Sequence, residues 1–290
     1  MSLTEDAGLS GGKSLVCERR LGWQSAPELA GHRIRGLVVV PMAWLALEVL
    51  KWCREVLPRN VNPQIVELRK FRGMTLPEFE EEEALFRWEL EGGDGEAGER
   101  GWELAIQDEQ GRKLYEMRLV GKAGRGERPN SEMSGGWTRP WDAVWLYERR
   151  GLLFHQGLFR TIERVLVLGE DFVKVELKIP EAARVAGKVR EVVLDAAVQA
   201  LALWVWDRSR DTMLPSAVGV LELWQAEELG LAKWACARIL SRTLLEVRAD
   251  AWVEDGEGRV LAVWRDLCLT RVVDSWVLSD EAWEEKGGRV

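Results

Sequence analysis

Two stretches far apart in this chain follow one plan, and any fold for the chain must build that plan twice. Residues 102–115 and 249–262 each read as a strand, a tight acidic turn and a second strand. The turns are Asp108-Glu109-Gln110-Gly111-Arg112 and Asp255-Gly256-Glu257-Gly258-Arg259. In such an Asp-x-x-Gly-Arg turn the aspartate accepts local backbone hydrogen bonds and the glycine supplies positive φ. Each copy follows an apolar helical stretch. The first stretch, residues 42–57, carries Trp44, Leu45, Leu47, Val49, Leu50 and Trp52. The second, residues 195–207, carries Ala196, Ala197, Val198, Leu201, Ala202, Val205 and Trp206. Both are apolar nearly all round, which suits a helix enclosed by a sheet. Residues 172–179 and 244–253 alternate apolar and polar side chains and read as strands. The expected class is α+β, two like halves each made of a helix and an antiparallel sheet.

The expected break is residues 121–137, a Gly-, Ser- and charge-rich stretch containing Pro129 and no apolar period. This gives halves at 21–120 and 138–275, with tails at 1–20 and 276–290. The acidic and glycine-rich stretches 78–83 and 91–101 read as solvated loops.

Composition removes several function classes. A net charge of −8 and a pI near 5.2 argue against binding nucleic acid, which needs a clustered basic surface. The longest apolar run, residues 37–50, is too short for a bilayer span and contains Glu48. The N-terminus lacks a basic-then-apolar signal pattern, so a cytoplasmic, soluble protein is expected. Cys17, Cys53, Cys236 and Cys268 are scattered, without metal-ligand spacing, and read as buried free thiols. The 16 tryptophans read as core bulk.

Only two histidines occur, His32 and His155, so groups able to exchange a proton near neutral pH are scarce. His32 opens the run His32-Arg33-Ile34-Arg35-Gly36-Leu37-Val38-Val39-Val40-Pro41, directly before the first helix. Asp195, in Val193-Leu194-Asp195-Ala196-Ala197-Val198-Gln199, sits at the expected start of the second helix. Pro41 fits a first helical turn, and Asp195 fits a helix cap. Gln199 is four residues beyond Asp195, on the same helix face, where its amide can orient the carboxyl group. A lone histidine in a strand is often structural, and a lone aspartate before a helix is often only its cap. Together, on two similar strand-to-helix elements, they form an acid/base pair worth testing.

The spacing His-x-x-x-Gly-x-x-x-x-Pro, followed by Asp-x-x-x-Gln, resembles the dehydratase domains of modular polyketide synthases. The likeness runs from about residue 21 to about residue 273 and includes residues 146–160. It implies a double hotdog fold, two central helices each wrapped by antiparallel sheet within one chain. It also implies a hydro-lyase that removes water from a 3-hydroxyacyl thioester on the phosphopantetheine arm of an acyl carrier protein, with no metal or bound cofactor. His32 would be the base and Asp195 the acid. The Gly36 amide would meet the thioester carbonyl, with Pro41 and Gln199 also at the substrate site; Phe154 and His155, in a segment that departs from the family, read as substrate-binding residues that line the channel, His155 in a structural rather than a catalytic role.

Implied partners are the carrier protein and other synthase domains, with a homodimer among the expected states and no nucleic acid or membrane. Arg33, Arg35, Arg149, Arg150 and Arg160 are candidate docking cations. The chain departs from the family where a Gly-Tyr-Gly-Pro run usually precedes a phenylalanine. Here the residues are Phe154-His155-Gln156-Gly157-Leu158-Phe159. Two other readings stay open: a product-template-like domain that steers cyclisation of a poly-β-keto chain, separable by pocket volume, and a catalytically degenerate structural module, in which the tunnel would be filled.

Overall fold

The structure is a computed structural model that describes residues 14–94, 100–121, 126–129, 136–137, 141–149 and 152–271. In chain order the strands of the first half are β1 (Ser14–Leu21), β2 (Arg33–Ile34), β3 (Leu37–Val39), β4 (Gln64–Lys70), β5 (Thr75–Leu76), β6 (Ala84–Asp94), β7 (Arg100–Asp108) and β8 (Lys113–Val120), with helix α1 (Met42–Val56) between β3 and β4. The second half contains β9 (Gly136–Trp137), β10 (Ile162–Gly169), β11 (Phe172–Leu177), α2 (Glu181–Val185), α3 (Val189–Ser209), β12 (Met213–Leu223), β13 (Ala232–Arg242), β14 (Glu246–Asp255) and β15 (Val260–Arg271).

Among the described residues, 12 strands form one sheet in the order β1-β6-β7-β8-β4-β12-β15-β14-β13-β11-β10-β9. The halves join where β4 pairs antiparallel with β12, through Arg69 with Ala217, Leu68 with Val218 and Val66 with Val220. This continuous sheet holds α1 and α3 against each other in one core, the double hotdog arrangement. Trp52, Trp88, Trp204 and Trp264 are fully buried within it, and Trp252 is fully buried in a smaller apolar cluster with Phe172 and Val263. Cys53, Cys236 and Cys268 are buried free thiols, while Cys17 is half-buried.

The two repeated turns are alike in atomic detail. Asp108 Oδ1 accepts the Gln110 and Arg112 amides, and Oδ2 accepts Arg112 Nε at 2.7 Å. Asp255 Oδ1 accepts the Glu257 and Arg259 amides, and Oδ2 accepts Arg259 Nε at 2.6 Å. Gly111 and Gly258 take φ of +72° and +79°, which a side chain would strain.

Several boundaries differ from expectation. Ser14–Leu21 is a strand paired along its length with β6, so the first half begins within the stretch read as a tail. Gly136 and Trp137, read as the end of the linker, pair with β10. Residues 91–94 and 100–101 belong to β6 and β7 rather than a loop, because the Glu and Gly positions there continue the cross-strand register from Leu90 with Leu104. Most of residues 121–137 and all of 276–290 lie outside the described residues.

The largest shift is in α3, which starts at Val189, so Asp195 lies inside the helix and does not cap it. The apolar run from Val192 onward is buried on every face, and that burial carries the helix a turn and a half further than its polar signals suggest.

Candidate active site

His32 sits between a 3-10 turn (Pro27–Gly31) and β2. Its amide donates to Leu29 O and its carbonyl accepts from Val39 N, both at 2.9 Å. Its Nδ1 lies 2.6 Å from Val39 O. A carbonyl can only accept, so Nδ1 carries the hydrogen and Nε2 is left with a free lone pair. The β2–β3 turn that returns the chain to Val39 has Arg35 and Gly36 at φ of 53° and 82°. Positive φ at both central residues matches the twist of a two-residue hairpin.

Asp195, Val198, Gln199 and Ala202 fall on one face of α3, as their spacing requires, and line one cavity. Gln199 Nε2 donates to Asp195 Oδ2 at 2.8 Å and to Phe159 O at 2.9 Å. Gln199 Oε1 accepts from the hydroxyl of Tyr147 at 2.7 Å, and that hydroxyl accepts from Ile162 N. Tyr147 comes from the short π-helical turn Trp145–Arg149. Sequence reasoning did not single it out, since a tyrosine in a short apolar turn carries no spacing signal.

His155 completes the cluster. Its backbone bridges that of His32, and Gln156 N donates to Gly31 O at 2.6 Å. The His155 Nε2 lies 3.3 Å from Asp195 Oδ2, and the two imidazole centroids are 5.0 Å apart. Phe154 stacks on His155 at 4.2 Å and meets His32 edge-on at 5.0 Å. One nitrogen of each histidine and one oxygen of Asp195 lie within 4.8 Å of one another. Among the described residues this is also the group whose donors could converge on a metal ion.

Burial dominates the electrostatics. It pulls the His32 imidazole from 6.5 down to about 4; the charge of His155 adds to this and Asp195 opposes it. Burial alone would raise the Asp195 carboxyl. The hydrogen bond and charge of His155, the charge of His32 and the Gln199 hydrogen bond outweigh it and hold Asp195 below its ordinary value. At neutral pH the site therefore contains a neutral His32 and a carboxylate at Asp195. Burial also pulls Lys70, in the cavity wall, down to about 8.

The cavity has a volume of about 290 Å³ and is lined by His32, His155, Asp195, Gln199, Pro41 and Phe154 together with apolar groups such as Val40, Val198 and Leu214. Gly36 is not among its lining residues: it is exposed at the tip of the hairpin, where positive φ is needed. The N-terminus of α1 does line the cavity, through Pro41 and Met42, and has no side-chain cap. Of the candidate docking cations, Arg33 is paired with Glu80 and Arg160 with Glu148. The side chains of Arg149 and Arg150 lie outside the described residues.

Residues 135–275 match the family model described as the polyketide synthase dehydratase N-terminal domain. This stretch is similar to the polyketide synthase dehydratase family. Although the model is described as N-terminal, the match falls on the second half of this chain, which holds His155 and Asp195.

Solved dehydratase domains share the fold over both halves. The dehydratase domain of a mycocerosic acid synthase-like synthase superposes with a TM-score of 0.70 at 18% identity, covering 89% of this chain and 91% of that one. The dehydratase domain of PpsC from Mycobacterium tuberculosis, in complex with C12:1-CoA, gives 0.70 at 17% identity, with coverage of 91% and 98%. The dehydratase domain from the CurF module of curacin polyketide synthase gives 0.71 at 16% identity, with coverage of 93% and 98%. No curated protein matches the sequence. Among the described residues no helix is long and apolar enough to cross a membrane.

Proposed function

We propose that this dehydratase removes water from a 3-hydroxyacyl thioester presented on the phosphopantetheine arm of an acyl carrier protein, giving a 2-enoyl thioester. The observation that carries the reading is the convergence of a base and an acid on one apolar cavity. His32 Nε2, unprotonated, takes the α-proton, and the Asp195 cluster on the opposite helix delivers a proton to the departing hydroxyl. The uncapped amides at the start of α1 offer partial positive charge for the thioester oxygen as negative charge grows on it. In this reading side chains and backbone take all of these roles, no cofactor is called for, and the protein works in the cytoplasm beside the other domains of a synthase.

The cavity volume of about 290 Å³ lies at the lower edge of the roughly 300–1,000 Å³ that takes a drug-sized ligand. This favours a short acyl chain over the folded poly-β-keto chain of a product-template-like domain. An open cavity lined by both His32 and Asp195 also favours an enzyme over a degenerate module. The test is to incubate the protein with 3-hydroxyacyl carrier-protein and pantetheine thioesters of graded length and follow loss of one water by mass spectrometry. Turnover of short chains is expected. Inactivity on the whole panel would overturn the reading.

A further inference from the structure

His32, His155 and Asp195 bring two imidazoles and one carboxylate together in the cavity wall, all three buried. With Nδ1 committed to Val39 O, His32 has Nε2 as its free ligand atom. His155 presents Nε2, which lies 3.3 Å from Asp195 Oδ2. Tetrahedral ligand atoms held at about 2.0–2.1 Å from zinc lie roughly 3.3–3.4 Å from one another. The His155 and Asp195 atoms therefore already have the spacing of two zinc ligands. One donor atom from each of the three residues lies within 4.8 Å of the others, so closing the set asks for at most about 1.5 Å of approach by the His32 ring.

The groups behind the ligands are those a metal site needs. Val39 O holds the Nδ1–H of His32, and Gln199 Nε2 holds the Asp195 carboxylate at 2.8 Å. A fourth position faces the cavity, open to water. Two imidazoles with one carboxylate suit zinc, whereas magnesium and calcium take oxygen ligands. Lys70 and Arg72 line the same cavity and oppose a cation, which favours a reversible ion over a resident one. His155 lies in the segment that departs from the family pattern, so this ligand set is a property of the chain's own residues.

We propose that His32, His155 and Asp195 form a reversible zinc site, and that the bound ion shuts off dehydration. The ion takes the His32 Nε2 lone pair that would receive the α-proton. It also takes the place of the hydrogen between His155 Nε2 and Asp195 Oδ2, which moves to Nδ1 of the same ring. That Nδ1 has no partner among the described residues with or without the ion, so zinc adds no unpaired group there. The binding half of the proposal stands on the geometry; the inhibition half rests on the dehydratase reading above.

The chain has only two histidines, so nitrogen NMR of tag-free protein labelled in its imidazoles reads both ligands directly. Stoichiometric zinc chloride should shift the resonances of both rings, and the same amount of magnesium chloride should shift neither. By calorimetry Gln199→Ala, which removes the donor behind Asp195, should weaken zinc binding by about 10–100-fold, and His155→Gln by at least as much. Zinc that shifts only one ring or neither, or zinc binding indifferent to both variants, overturns the proposal.

On a substrate the wild type turns over, zinc should abolish dehydration at the concentrations that shift both rings, magnesium should not, and EDTA should restore the rate. Full activity with both rings shifted overturns the inhibition. If the wild type dehydrates nothing on the panel, the dehydratase reading fails, and the NMR and calorimetry still decide the zinc site.

Discussion

Tyr147 donates its hydroxyl hydrogen to Gln199 Oε1 at 2.7 Å, and this single contact settles which way the Gln199 amide faces. With the oxygen engaged, Nε2 must point to Asp195 Oδ2 and Phe159 O. The acidic side of the site is thereby fixed by a residue 52 positions away from Gln199 in sequence. Tyr147→Phe removes that constraint and leaves the Ile162 amide without its acceptor. We expect a loss of about 1–3 kcal/mol of stability, as for an unsatisfied buried group, and a fall in kcat smaller than that of an Asp195 variant. Thermal unfolding and steady-state kinetics on one preparation check both. An unchanged kcat and melting temperature would remove Tyr147 from the positioning network.

His32→Ala removes the free Nε2 and should reduce dehydration by about 10²–10⁴-fold. Asp195→Asn keeps the shape but loses the negative charge that faces His155, and should cost a comparable factor while the protein folds normally. Because all these groups serve one elimination, the double variant should be little worse than either single one. Strictly multiplicative losses would show that they act independently.

Gly31→Ala places a methyl group against the Gln156 carbonyl oxygen, well inside van der Waals contact. The backbones of Gly31 and Gln156 are already hydrogen-bonded, so the His32 and His155 segments would have to separate. Dehydration should fall at least tenfold, with retained far-ultraviolet circular dichroism. Wild-type activity in Gly31→Ala would show that the spacing of the two segments is not critical.

The folded His32 titrates near about 4 and the unfolded residue near 6.5. Between those values the unfolded chain binds more protons than the native one, so stability falls as pH falls through this window. The loss is about 3 kcal/mol from this group. Asp195, held below its ordinary value, contributes stability present at neutral pH that is also lost, at still lower pH. Denaturant unfolding from pH 7 to pH 4 should show the decline, and His32→Phe should flatten it. By the same reasoning the acid limb of kcat/KM should lie nearer pH 4 than 6.5. A limb at 6.5 would show that His32 is not held neutral by burial.

The sequence by itself determined the repeated architecture, because its signals are local. Asp108 and Asp255 each bind amides two and four residues ahead, and the apolar runs from Met42 and Val192 need only be enclosed to become helices. It also marked His32, Asp195 and Gln199 by spacing, since a four-residue step fixes a shared helix face wherever that helix packs. What only the tertiary structure decided is which groups meet and in what state. The start of α3 at Val189 depends on burial by distant strands, so Asp195 proved to be a core side chain rather than a cap. Gly36 has the same backbone need in any hairpin, and only the packed chain shows it outside the cavity. His155 and Tyr147 reach Asp195 and Gln199 across 40 and 52 residues, through contacts that no periodicity encodes. The charge of each group follows from that enclosure, because burial penalises an isolated ion and only the partner that the fold supplies can offset the penalty.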